Sequence, residues 1–257
     1  MHSKTISKYI WFGTALRYLQ DVKEDFPIHE KSGGILKNIN EFLDGLKEFD
    51  LPVTLRAASL ELEEFRKEIN KSSSNHTLTK EKSFQLAKIM NDVRNTLFAE
   101  AGGKIAFIVT DKRIDVNKLL SNMPALMAPN IFGLLPDIAK YDITEAGKCI
   151  AFERPTAAAF HLLRGTESVL RHFYCSIVKK NRVELMWGQI VVSLRKHKKS
   201  PDVSLLNNLD NIRSSFRNPT QHPEKIYNIE DVQDLFGLCI EVINRMVASK
   251  EWQPLAK

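Results

Sequence analysis

Apolar residues recur at helical spacing along most of this chain, which restricts it to folds built from amphipathic helices packed on one another. Residues 5–25 carry Ile6, Ile10, Leu16 and Leu19, and residues 34–48 carry Leu36, Ile39, Phe42, Leu43 and Leu46. After Pro52, residues 53–70 form another amphipathic stretch, with Glu61, Glu63, Glu64, Arg66 and Lys67 for its wet face. Residues 71–79 form a polar, Ser/Asn-rich linker, and Thr79 is placed to cap a helix running to about Glu100. Hydrophobic residues make up 43% of the 257 positions, enough for a packed core.

Ala101-Gly102-Gly103 ends that helix, and Ile105, Phe107, Ile108 and Val109 give residues 104–110 the pattern of a short strand. Residues 115–121 read as a short helix, and Pro124, Pro129, Gly133 and Pro136 make 122–136 irregular. The domain boundary is placed near Lys140. Beyond it Asp142 is expected to cap a helix to about Phe152, and Pro155 opens a long helix over 156–180. Further helices are expected over 183–197, from Asp202 or Ser204 to about Phe216, and from Asn228 to about Ala248. The predicted fold is mainly α. An N-terminal helical domain with a small β element (1–139) precedes a bundle of four to five helices (140–257).

Cys149, Cys175 and Cys239 are an odd number without metal-ligand spacing. They argue against a secreted disulfide scaffold and a zinc site, and a reducing cytoplasm is the simplest home. The run at Ile10-Trp11-Phe12 is broken by Arg17, and no stretch approaches ~20 apolar residues, so no membrane segment is expected. A net charge of +6 and a pI of about 9.1 permit a nucleic-acid partner without demanding one. No Gly-rich phosphate loop, His-Glu-x-x-His motif or serine nucleophile elbow occurs.

One segment carries side chains suited to chemistry. Residues 213–224 read Arg-Ser-Ser-Phe-Arg-Asn-Pro-Thr-Gln-His-Pro-Glu. Pro219 is expected to push Asn218 out of helical conformation and Pro223 to stiffen the exit, so that a rigid turn holds Arg217 and His222 together. A guanidinium binds phosphate oxygens bidentately and stays charged as a transition state gains negative charge. An imidazole moves protons near neutral pH. The pair could act on RNA without a metal or cofactor, taking the ribose 2′-OH proton or protonating the leaving 5′ oxygen. Arg154 and His161 share a comparable spacing, but no rigid turn lies between them, and that pair reads as a chance match.

The Arg-Asn-Pro-Thr-Gln-His turn between two long C-terminal helices resembles the Arg-x(4–6)-His signature of the HEPN superfamily, where a polar residue such as Asn218 commonly follows the arginine. Residues 142–167 are similar to the opening helices of bacterial HEPN proteins, and the resemblance covers roughly 140–250. It implies a homodimeric, metal-independent endoribonuclease that leaves a 2′,3′-cyclic phosphate and serves in antiphage defence or toxin–antitoxin growth control, with an antitoxin or defence-system protein as a partner. On this chain it implies that Arg217 binds and stabilises the scissile phosphate, that His222 is the general acid or base, and that Asn218 orients the phosphate or the histidine. HEPN toxins silenced by nucleotide transfer carry a tyrosine two residues after the histidine. Here Glu224 stands there and the nearest tyrosine is Tyr227, which speaks against that route.

Other residues admit two readings. Arg164, Glu167 and Arg171 fall on one face of the 156–180 helix, as an ion-pair network or as support behind His222, a role the resemblance favours for Glu167. Lys179, Lys180, Arg182, Arg195, Lys196, Lys198 and Lys199 face only Glu184, as a solvated surface or as a phosphate-backbone track for RNA. Trp187 reads as a core anchor before a base-stacking platform. The competing function is a non-catalytic module that binds nucleic acid, a nucleotide or a protein. A third reading makes the 217–222 turn purely structural.

Overall fold

A computed structural model describes residues 4–29, 33–71, 77–179, 184–222 and 225–253. The fold is mainly α, and the chain divides into two compact units, 1–106 and 107–257.

Unit 1 packs α1 (Ile6–Gln20), α2 (Ile35–Glu48), α3 (Pro52–Lys71) and α4 (Lys80–Ala101) around Leu19, Ile35, Ile39, Phe42, Leu46, Leu62, Phe65, Leu86 and Met90, all essentially inaccessible to solvent. Phe12 of α1 stacks on Phe42 of α2, with ring centroids 5.2 Å apart. Thr79 caps α4 as its position predicts, accepting from the Lys82 amide. At the far end of α4 the Glu100 carboxylate accepts from the Val53 and Thr54 amides, which satisfies donors at the start of α3.

The strand pattern at 104–110 does not become a strand. These residues run without a ladder, and Ile105, Phe107 and Ile108 are at least three-quarters exposed. A lone extended segment needs a neighbouring edge, and the other apolar segments are committed to helices. Among the described residues the only β pairing is an isolated bridge between Pro27 and Thr77.

Unit 2 begins well before Lys140, where the sequence had placed the boundary. Leu119 of α5 (Val116–Ser121), then Met123, Met127, Ile131 and Leu135 in the following turns, are buried in the same core as the later helices. Gly147 admits this segment: a side chain there would stand 2.7 Å from the Leu119 carbonyl oxygen. Asp115 caps α5 by accepting from the Asn117 and Lys118 amides.

α6 (Asp137–Ala151) begins more than a full turn earlier than expected, so Asp142 is a buried interior residue and not a cap. α7 (Pro155–Val178) is the central helix, packed by α6, α11 (Ile229–Ala248) and α8 (Trp187–Lys196). Trp187 is a core anchor, donating its indole N–H to the Leu209 carbonyl at 3.1 Å. Asp202 caps α9 (Val203–Ile212), and Asn228 caps α11 by accepting from the Asp231 amide at 2.8 Å. Among the described residues no helix is long and apolar enough to cross a membrane.

Candidate functional site

The helix that begins at Val203 does not stop near Phe216. It passes through a π-helical turn over Arg213–Arg217 and continues as α10 (Asn218–Gln221). Asn218 stays helical (φ −64°, ψ −51°), contrary to the effect expected of Pro219. The wider turn supplies the reason. The Asn218 amide donates to the Arg213 carbonyl, five residues back, and this expanded loop gives room to a proline ring that would crowd an ordinary α turn. The helix ends at His222, whose backbone is extended.

Arg217 and His222 differ in their surroundings. Arg217 turns inward. Its side chain is 24% exposed, and its Nη2 lies 3.6 Å from the Oε2 of Glu167 on α7. Its Nε is buried with no hydrogen-bond partner among the described residues. His222 is exposed. No hydrogen bond or ion pair joins the two within one chain among the described residues. Asn218 is half-buried, and its amide and carbonyl serve the helix.

Glu167 belongs to an ion-pair network, the first of the two readings that its position admits. It does not stand behind His222. Its carboxylate accepts from Arg171 one turn along at 2.7 Å and faces Arg217 across the helix pair. Arg164 is not behind His222 either. It donates through Nε and Nη2 to both oxygens of Asp142, at 2.7 and 2.6 Å. His161 Nδ1 lies 2.8 Å from Asp142 Oδ1. Arg164 and His161 thus place a guanidinium and an imidazole together on a shared carboxylate. Sequence reasoning passed over His161 because its anchor lies nineteen residues earlier on another helix. A faint signal was present: Gly165, where a Cβ would sit 3.1 Å from the Asp142 Cβ, lets α6 and α7 close up at this level.

Beyond the π turn, the return segment is pinned by hydroxyls. Thr220 Oγ1 donates to the Phe216 carbonyl at 2.6 Å and lies 2.7 Å from the Tyr227 hydroxyl. Burial pushes the Tyr227 phenol pKa up, against the opposing effect of its hydrogen bond with Thr220. Lys225 Nζ lies 4.7 Å from the ring centroids of both Phe216 and Tyr227.

The basic residues do not form one patch that the structure describes throughout. Lys179 ends α7 in a left-handed conformation and is exposed. Arg195, Lys196, Lys198 and Lys199 are exposed around the end of α8, with Arg195 donating to Asn207 at 2.8 Å. Lys180 and Arg182, with Pro223 and Glu224 after the histidine, lie outside the described residues. No protein-family model, no curated protein and no solved structure matches this chain.

Proposed function

We propose that unit 2 is a metal-independent endoribonuclease that acts as a homodimer through its C-terminal helices. The observation that carries the reading is the π turn. It fixes Arg217 against Glu167 while leaving one guanidinium N–H unused and His222 free in solvent. π-bulges inside α-helices are frequent at functional sites. The likeness of the Arg217–His222 spacing to the HEPN signature supplies the reaction class.

No hydrogen bond or ion pair joins Arg217 to His222 within one chain among the described residues, and in this reading a complete site takes groups from two copies, as the resemblance implies. His222 accepts the proton of a ribose 2′-OH as the oxygen attacks the adjacent phosphorus. Arg217 offsets the added charge on the non-bridging oxygens. The partner copy's His222 gives a proton to the departing 5′ oxygen, which leaves a 2′,3′-cyclic phosphate. Asn218 borders the same turn and orients the phosphate. Arg195, Lys196, Lys198 and Lys199 contribute backbone attraction. The proposed setting, a cytoplasmic defence or toxin–antitoxin system with a restraining partner protein, rests on the resemblance alone. Incubating the protein with single-stranded RNA in EDTA and mapping product ends tests the reaction. Cyclic-phosphate ends are expected, and intact RNA counts against it.

The buried Arg217 Nε without a partner among the described residues favours a second reading, a non-catalytic module in which Arg217 binds a phosphate. The wild type would then bind RNA without cutting it, and Arg217→Ala would weaken binding.

A further inference from the structure

The Asp142 carboxylate is completely buried, yet the cluster built on it reaches solvent. Arg164 uses two N–H groups on Asp142, its side chain remains 62% exposed, and three of its five N–H groups are left for another acceptor. His161 is 27% exposed. With Nδ1 engaged by the carboxylate, Nε2 is the ring nitrogen left for another partner. The Tyr141 ring stands edge-on to His161, with centroids 6.2 Å apart, and Tyr141 is 58% exposed. A guanidinium, an imidazole and an aromatic ring are thus fixed together at one level of the α6–α7 pair.

A purely structural ion pair needs neither an exposed arginine head nor an imidazole on the same carboxylate oxygen. The grouping suits a nucleic-acid strand: a planar fork for phosphate oxygens, an imidazole nitrogen for a further hydrogen bond, and a ring face for a base. It also continues towards Arg217. Arg164 lies three residues before Glu167 on α7, about 4.5 Å along the helix axis, and Glu167 faces Arg217.

We propose that His161 and Arg164, anchored on Asp142, form a subsite for a phosphodiester of single-stranded RNA, with Tyr141 stacking on a neighbouring base. The assignment rests on RNA being the ligand of this unit, as argued above, but not on cleavage.

The test is binding of a 2′-O-methyl single-stranded RNA, which cannot undergo 2′-OH attack, by the full chain across a salt series. Tyr141→Ala alters an exposed side chain and leaves the ion pair alone; about a tenfold weaker Kd is expected. Arg164→Gln is expected to weaken binding and reduce the salt slope by about 0.7, the value for one lost phosphate contact on a single strand. Arg164→Lys restores the slope, which a role confined to supporting Asp142 would not do. His161→Gln is expected to weaken binding about tenfold with an unchanged melting temperature. Wild-type affinity and slope in folded Tyr141→Ala and His161→Gln overturn the subsite. Loss of binding in these variants alongside a wild type that cuts no unmodified RNA supports the subsite and removes the nuclease reading. A wild type that does not bind RNA overturns both.

Discussion

Glu167 Oε2 lies 3.6 Å from the guanidinium of Arg217, while its other oxygen is held by Arg171. The carboxylate therefore orients the arginine without neutralising it by a close bidentate pair. Replacing it tests whether that orientation matters. Glu167→Gln is expected to reduce RNA cleavage by about 10- to 100-fold, the usual effect of losing a supporting partner behind a reactive group. Stability should fall by less than about 1 kcal/mol, because both ion pairs are partly solvated. Cleavage rates beside urea melts measure both. Wild-type cleavage in the variant contradicts the orienting role.

The buried Asp142 predicts a marked asymmetry. Arg164→Ala leaves a carboxylate without solvent and with His161 as its remaining partner, at a cost of about 3 kcal/mol. Removing Asp142 as well relieves that charge, so the Asp142→Ala/Arg164→Ala double variant should be more stable than the sum of the single losses implies, by at least about 1 kcal/mol. Equilibrium unfolding of the four proteins reads the coupling. Additive losses count against it.

Tyr227 should confer a specific alkaline sensitivity. Its phenol pKa is raised from 10 by burial, with the Thr220 hydrogen bond opposing, so the folded state holds the proton more tightly than the unfolded one. The associated stability is complete below pH 10 and is lost as pH climbs through the raised value. Tyr227→Phe removes this dependence and costs about 1 kcal/mol at neutral pH through the lost hydroxyl contacts. Melting temperatures between pH 7 and 11 compare the two, and parallel curves would refute the assignment.

Cys239 reports on the bundle core. Burial pushes its thiol up to about 12, with a hydrogen bond to Thr166 pulling the other way. Native protein should resist alkylation there at pH 8 while the half-buried Cys149 and Cys175 react slowly. Mass spectrometry after iodoacetamide treatment locates the label. Labelling of Cys239 at the rate of Cys149 would mean a loosely packed core.

The local signals in the sequence were legible where a residue acts on its own helix. Thr79 and Asn228 cap the helices they are expected to cap, and of the two candidates Asp202 and Ser204 it is Asp202 that caps α9. Signals that depend on distant partners were not. Residues 104–110 have strand composition but no edge to join. Leu119 and Met123 belong to a core whose other members lie downstream, which moved the boundary. Pro219 promises a break to any reading based on α geometry, and the π turn accommodates it. The charged stripe on α7 correctly demanded partners, but periodicity could not say that Arg164 meets Asp142 and Glu167 meets Arg217. The candidate site was thus read as residue types on a chain and not as directions in space.

The most direct measurement is cleavage of single-stranded RNA in EDTA by the wild type, Arg217→Ala and His222→Ala, each checked for an unchanged circular-dichroism melt. The account predicts cyclic-phosphate products from the wild type and at least about a hundredfold slower cleavage by either variant. An identical product ladder from all three proteins would contradict it.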